Sequence, residues 1–214
     1  MRNKLLAAGL LTNIVVHFYI FSYLPPEQTL GELYKIIYVH VPPAWVSYVA
    51  FTISLIASVL YILRNDGKYD LISFSSVSLG VVFSGLAIVI GMIFSNKAWG
   101  TYWEWREPRL TATLILFLAY LGYLVLRASI EDLDKKRSIS SVYSIMAFVT
   151  IPLSYVSTKI FRSIHPLPEL SPEMRLFLYI SFIVNLVIFF SLLSSLYTKF
   201  TIKEKMLLGG DGYD

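Results

Sequence analysis

Six apolar stretches fix what this chain can become: 5–23, 43–63, 71–94, 109–130, 139–160 and 174–198. Each is close to the roughly 20 residues that a helix needs to cross a hydrocarbon core of about 30 Å. In that setting every backbone N–H and C=O must be satisfied internally, which leaves helices for stretches of this length. The expected fold is an all-α polytopic membrane protein with six transmembrane helices and short outer interfacial helices. Charged residues make up 15% of the chain and hydrophobic ones 56%, against about 25% charged in an ordinary soluble domain. The first stretch exceeds the 7–15 residues of a signal-peptide core and no small-x-small site follows it, so it reads as a span.

Six spans put both termini on one side. The N-terminus, the turns near 64–70 and 127–138 and the tail carry eleven Lys and Arg, and the three opposite loops carry seven. The positive-inside rule places the richer set in the cytoplasm. The expected protein is therefore a multi-pass plasma-membrane protein with both termini cytoplasmic. Residues 1–200 form one six-helix unit, and 201–214, ending Gly-Gly-Asp-Gly-Tyr-Asp, read as a disordered tail. The charge run Glu131-Asp-Leu-Asp-Lys-Lys-Arg reads as a solvated connector. The basic residues sit beside apolar spans, where topology accounts for them, so nucleic acid is not an expected partner. With no cysteine in the chain, disulfides, thiolate ligands and cysteine nucleophiles are excluded.

Chemistry concentrates in the three outer loops. In the first, Leu30, Leu33, Tyr34 and Ile37 recur at helical spacing and predict a short amphipathic helix. It leads to Tyr38-Val-His-Val-Pro-Pro-Ala-Trp, where Pro42 disfavours helix at Val41 and Pro43 suits a first turn. His40 is thus expected at a break just above a helix start. The second loop holds three of the four tryptophans in Trp99-Gly-Thr-Tyr-Trp103-Glu-Trp105-Arg-Glu107-Pro-Arg109-Leu-Thr. Interfacial tryptophans ordinarily anchor helices, but three in seven residues interleaved with charge is dense for anchoring alone. The third loop holds His165, flanked by Arg162 and Glu169 and stiffened by Pro166 and Pro168.

Two imidazoles and an indole platform on one face suit a planar metallocofactor. Haem iron accepts axial imidazole, and the macrocycle needs flat apolar surface. Its propionates need guanidinium or ammonium partners, and Arg109, Arg106, Arg162 and Lys97 are all on this face. A zinc site fits less well, since no HExxH-type spacing is present. His17 lies within the first span, one turn after Asn13, and reads as a histidine hydrogen-bonded inside the bundle. Ser75, Ser76, Ser78, Gly80, Ser84, Gly85 and Gly91 read as small residues for close helix packing.

The motif Trp99-Gly-Thr-Tyr-Trp-Glu-Trp followed by Arg109-Leu-Thr resembles the tryptophan-rich signature of the haem-handling proteins of cytochrome c maturation, most closely the CcmC family. Tyr38-Val-His-Val-Pro-Pro-Ala-Trp resembles that family's first histidine motif, and His165 falls where the family has its second. The resemblance covers nearly the whole chain. It implies a haem, b-type, non-covalent and transient, held on the extracytoplasmic face. His40 and His165 would be its axial ligands, and Trp99, Trp103 and Trp105 would lie against the porphyrin. It further implies transfer to a CcmE-type haem chaperone, with ABC-transporter-type CcmA/CcmB subunits as partners. The family has an aspartate directly after the third tryptophan. Here Arg106 stands there, the segment is one residue longer, and Glu107 is the candidate substitute at the cofactor site.

Three other functions are weighed. A haem-attaching cytochrome c synthase would share the tryptophan motif but needs further in-membrane histidines and a large soluble domain. A b-type electron carrier needs two histidines deep in facing spans, and only His17 lies in one. A structural docking subunit would use the aromatic loops without any cofactor. Haem transfer without chemical turnover is preferred. Its geometric expectation is that His40 and His165 face each other across about 4 Å when loaded, twice a metal–imidazole bond of about 2 Å.

Overall fold

Helix α1, Arg2–Tyr23, exposes Leu11, Ile14 and Phe18 and buries Ile20. It ends where the buried Lys35 ammonium donates to the Phe21 carbonyl at 3.2 Å and pairs with Glu32 at 2.8 Å. A cation on orphan C-terminal carbonyls is a favourable cap. The computed structural model describes residues 2–160, 163 and 168–209. The further helices are α2, Ile37–Arg64; α3, Gly67–Trp99; α4, Pro108–Ser129; α5, Leu133–Ala147; α6, Thr150–Ile160; and α7, Pro172–Gly209. The described residues include no named strand. Among the described residues, five helices (α1, α2, α3, α4 and α7) are long and apolar enough to cross a membrane. The fold is all-α and the protein is a multi-pass membrane protein.

Three expectations change in detail. The stretch 139–160 is two helices rather than one. Pro152 has no N–H for the Phe148 carbonyl four residues back, and that carbonyl accepts from Ile151 N–H at 3.0 Å. The tightened turn ends α5 and starts α6. The amphipathic element of the first loop is a 3₁₀ turn, Glu32–Ile36, that runs straight into α2. Tyr34 and Tyr38 are fully buried, so they pack in the bundle rather than lie in the interface. At the other end of the chain, α7 continues helical to Gly209, past residue 201 where the tail was expected to begin. Residues 210–214 lie outside the described residues.

The first loop is also pinned by Glu27, whose carboxylate accepts from Leu30 N–H at 2.8 Å and Thr29 N–H at 2.9 Å. The Leu30 N–H, foremost, holds its carboxyl below the ordinary glutamate value. A depressed folded-state pKa stabilises fully above the unfolded value and is lost as pH falls through the folded one. Glu27→Ala is therefore expected to lower the thermal midpoint at neutral pH. The gap to wild type should close as pH falls below the ordinary carboxylate range. A gap that persists in acid would contradict this role for Glu27.

Small residues let α2, α3, α4 and α5 approach closely. A Cβ on Gly80 would lie 2.5 Å from the Phe51 ring, which stacks on Tyr120 at 3.6 Å between centroids. Hydroxyls then pair between helices: Ser54 with Ser73 at 2.8 Å and with Ser144 at 2.7 Å, and Ser58 with Ser73 at 2.9 Å. Short polar side chains at helix contacts are a common means of holding membrane bundles together.

One feature was hidden in the supposed connectors. Asp70 is fully buried near the start of α3, and both its oxygens accept from Arg127 of α4 at 2.6 Å. Arg137 Nε stands 3.8 Å from the same carboxylate, and the Arg137 guanidinium pairs with Glu204 of α7. Arg137, at the end of the run expected to be solvated, is thus part of an ion network joining four helices. The sequence signal was an aspartate abutting an apolar span, where ionisable groups are costly and need partners.

Candidate haem site

The end of the bundle opposite Asp70 gathers the start of α2, the end of α3 and the starts of α4 and α7. His40 lies inside the first turns of α2, not at a break before it. Pro42 and Pro43 are within the helix, because the helix begins at Ile37 and both prolines fall close to its N-terminus, where a missing N–H is best tolerated. The His40 imidazole packs on α3. Its Nδ1–H donates to the Ala87 carbonyl at 3.0 Å. Its Cε1 would stand 2.9 Å from a Cβ on Gly91. Gly91, read from sequence as a packing residue, thus makes the space for this ring.

With Nδ1 carrying the proton, the Nε2 lone pair has no hydrogen-bond partner among the described residues. Metal-binding histidines commonly show this arrangement: the far nitrogen is tied to a carbonyl, which fixes the tautomer and orients the ring. The residue is half-buried, and Nε2 is not among the buried unpartnered polar atoms of the described residues.

The tryptophan loop begins where Gly100 takes φ 76° and turns the chain off α3, a conformation that glycine adopts without strain. Ser95 Oγ–H donates to the Thr101 carbonyl at 2.6 Å and folds the loop back on the helix. Trp99 meets Phe94 edge-on at 6.0 Å, and Trp103 meets Trp105 edge-on at 5.7 Å. Trp105 is 71% exposed, an unusual state for an indole unless something covers it. Trp103 Nε1–H is buried with no hydrogen-bond partner among the described residues. Along α3, Gly91 lies eight residues before Trp99, or about 12 Å at ~1.5 Å per residue. His40 therefore sits deeper than the loop.

Glu107 is fully buried and serves as the N-cap of α4, accepting from Arg109 N–H at 3.3 Å. Its carboxylate also accepts from Ser163 Oγ–H at 2.7 Å, which ties the second loop to the third. Arg109 stands in the first turn of α4 with a partly exposed side chain. His165 and Arg162 lie outside the described residues, and so does the expected His40–His165 distance. A cavity of about 610 Å³ opens at the opposite end, beside Arg127, Phe74 and Phe200. Its described lining residues include no histidine or tryptophan.

The profile of the Heme exporter protein C family matches residues 1–207. The chain belongs to this family. It is 34% identical to Heme exporter protein C of Rhodobacter capsulatus over 148 residues, 69% of this chain and 61% of that protein. Identity is 29% to the Bradyrhizobium diazoefficiens protein of the same name, over 75% of this chain and 60% of the relative. For Heme exporter protein C of Escherichia coli K12 the figures are 26%, 68% and 59%. The match thus spans about three fifths of the length of these relatives.

The Gly91 notch escaped the sequence reading, for it carries no signal beyond one glycine among many small residues. His17 is hydrogen-bonded inside the bundle as read from sequence: its Nδ1 lies 2.8 Å from the Asn13 carbonyl on its own helix, and its Nε2 3.1 Å from the Tyr38 carbonyl on α2, a partner the sequence did not name.

Proposed function

We propose that this protein holds haem at the His40 end of the bundle, on the extracytoplasmic side, and passes it on for cytochrome c maturation. The observation that carries the reading is the His40 ring: Nδ1–H fixed on the Ala87 carbonyl, Nε2 without a partner, and Gly91 making room. The residues fit an iron porphyrin. Imidazole is an axial ligand of haem iron, exposed and edge-on indoles offer apolar surface, and guanidinium suits propionates. The relatives' name, Heme exporter protein C, supports the same cargo.

In this reading His40 supplies one axial ligand and His165 the other. Trp99, Trp103 and Trp105 contact the macrocycle, while Arg109 and Arg162 receive its carboxylates. Glu107 shapes the site by holding the second loop to the third. The haem is b-type, non-covalent and released again, so the protein is a carrier and not an enzyme. Its partners are a CcmE-type haem chaperone and ABC-transporter-type CcmA/CcmB subunits. Both termini face the cytoplasm.

The test is spectroscopic. Protein purified from haem-replete cells is expected to carry a six-coordinate, low-spin haem. His165→Ala should leave a five-coordinate, high-spin species or lose the haem. A low-spin spectrum unchanged in His165→Ala would remove His165 from the ligand set. Wild-type protein without haem absorbance, and unable to take up added hemin, would overturn the reading.

A further inference from the structure

The turn that carries His40 is held from three sides. Tyr38 Oη–H donates to the Met174 carbonyl of α7 at 3.1 Å. His40 Nδ1–H reaches α3 at Ala87. Between them, the Tyr38 carbonyl faces His17 Nε2 of α1 at 3.1 Å. In an α-helix that carbonyl would accept from the N–H four residues on. That residue is Pro42, which has no N–H. An unpaired carbonyl buried in an apolar bundle is costly. His17 Nε2, 21 residues away in sequence, stands 3.1 Å from that carbonyl, placed to donate in its Nε2–H tautomer.

We propose that His17 is a positioning residue for His40. By donating to the carbonyl that Pro42 leaves bare, it fixes the helical turn from which the His40 imidazole projects, and with it the aim of Nε2. Asn13 and Tyr38 present carbonyl oxygens, which only accept. The Nε2–H tautomer serves the Tyr38 bond, and the Nδ1–H tautomer serves the Asn13 one. His17 has no contact with the tryptophan loop among its described hydrogen bonds, so it acts through the α2 turn. The proposal rests on the haem reading of the preceding section.

Pro42 provides an internal control. Pro42→Ala restores an N–H at the position from which helix geometry donates to the Tyr38 carbonyl, and so makes His17 redundant. The experiment titrates hemin into the full-length protein in detergent. It compares wild type with His17→Ala, His17→Gln, Pro42→Ala and the double variant, reading the dissociation constant and the ferric low-spin spectrum. Removing an outer partner of a metal-ligating histidine typically costs 10–100-fold in affinity. His17→Ala is expected to weaken binding by about tenfold and to alter the spectrum, with the loss partly restored in His17→Gln, whose amide donates. In the Pro42→Ala background the same His17→Ala change should cost less than about twofold, because the backbone now supplies the bond.

Equal losses in both backgrounds would overturn the proposal, as would wild-type affinity and spectrum in His17→Ala. Thermal midpoints of the haem-free variants run the same cycle without cargo. Coupling there, with none in affinity or spectrum, reduces His17 to a fold staple and also overturns it. Wild-type protein that binds no hemin overturns the haem reading and the positioning role together, an outcome distinct from failure of the His17 variants alone.

Discussion

Replacing His40 with alanine is expected to abolish haem retention, and replacing Gly91 with alanine to come close to it, in protein that remains folded. The His40 variant loses the imidazole itself, so its effect should exceed the roughly 10–100-fold that outer partners of a ligand contribute. The Gly91 variant leaves the ligand in place but fills the notch behind it. Its methyl would lie 2.9 Å from His40 Cε1 and 3.4 Å from Nδ1. To relieve the overlap the ring must leave Ala87, which releases Nδ1–H and the orientation of Nε2 together. Overpacking a fitted contact costs about 1–3 kcal/mol, here concentrated on the ring that binds iron.

Gly80→Ala supplies the comparison. Its methyl would meet the buried Phe51 ring at 2.5 Å, and Phe51 is locked against Tyr120. That variant should lose thermal stability while its folded fraction binds haem as wild type does. Absorbance of the bound haem per protein and the unfolding midpoint separate the two cases. Full haem occupancy with a wild-type spectrum in Gly91→Ala would refute the packing argument.

Both glycines lie on α3 and have the same appearance in sequence. This marks where sequence reading succeeds and where it stops. Span-length apolar stretches and the all-α class follow from backbone satisfaction in hydrocarbon, which acts along the chain and needs no partner. The tryptophan loop and the His40 segment are dense local motifs, which can be read along the chain in the same way. The broken span 139–160 was missed because its break depends on one carbonyl, that of Phe148, finding a 3₁₀ partner when Pro152 cannot serve it. Pro42 presents the opposite case. It reads as a helix boundary, yet α2 passes through it, and His17 Nε2 of α1 stands 3.1 Å from the carbonyl that Pro42 leaves without its usual partner. The first break is closed by a local 3₁₀ bond from Ile151, while the second carbonyl faces a group on another helix. Glu107 shows the same limit. The family resemblance offers it as the substitute for an aspartate; that its carboxylate also caps α4 and accepts from Ser163 is visible only in the fold.

The other large effect is expected at the far end of the bundle, where Asp70→Ala should destabilise the protein by about 3–5 kcal/mol, the range for stripping one partner from a buried ion pair. Asp70 is fully buried and the Arg127 side chain is 7% exposed. The guanidinium lies over the Phe74 ring at 4.5 Å. Without the carboxylate, Arg127 keeps its charge in a site with one aromatic face and loses both 2.6 Å hydrogen bonds. Arg137, also facing Asp70, adds like-charge repulsion.

The converse variant, Arg127→Ala, should cost less, because Arg137 remains 3.8 Å from the carboxylate. Removing both partners should cost less than the sum of the single changes, since neither charge is then stranded. Lys68→Ala, which breaks an exposed pair with Asp66, should stay within about 1 kcal/mol. Chemical or thermal unfolding in detergent measures all four. A small loss in Asp70→Ala would mean that water reaches Arg127 and that the network contributes little. Haem titration of the same variants bears on a second point. Asp70 precedes Gly91 by 21 residues along α3, about 31 Å at ~1.5 Å per residue. An affinity unchanged in the folded fraction of Asp70→Ala would place stability and cargo at opposite ends of one helix. A loss there comparable to Gly91→Ala would require α3 to transmit strain along its whole length to His40.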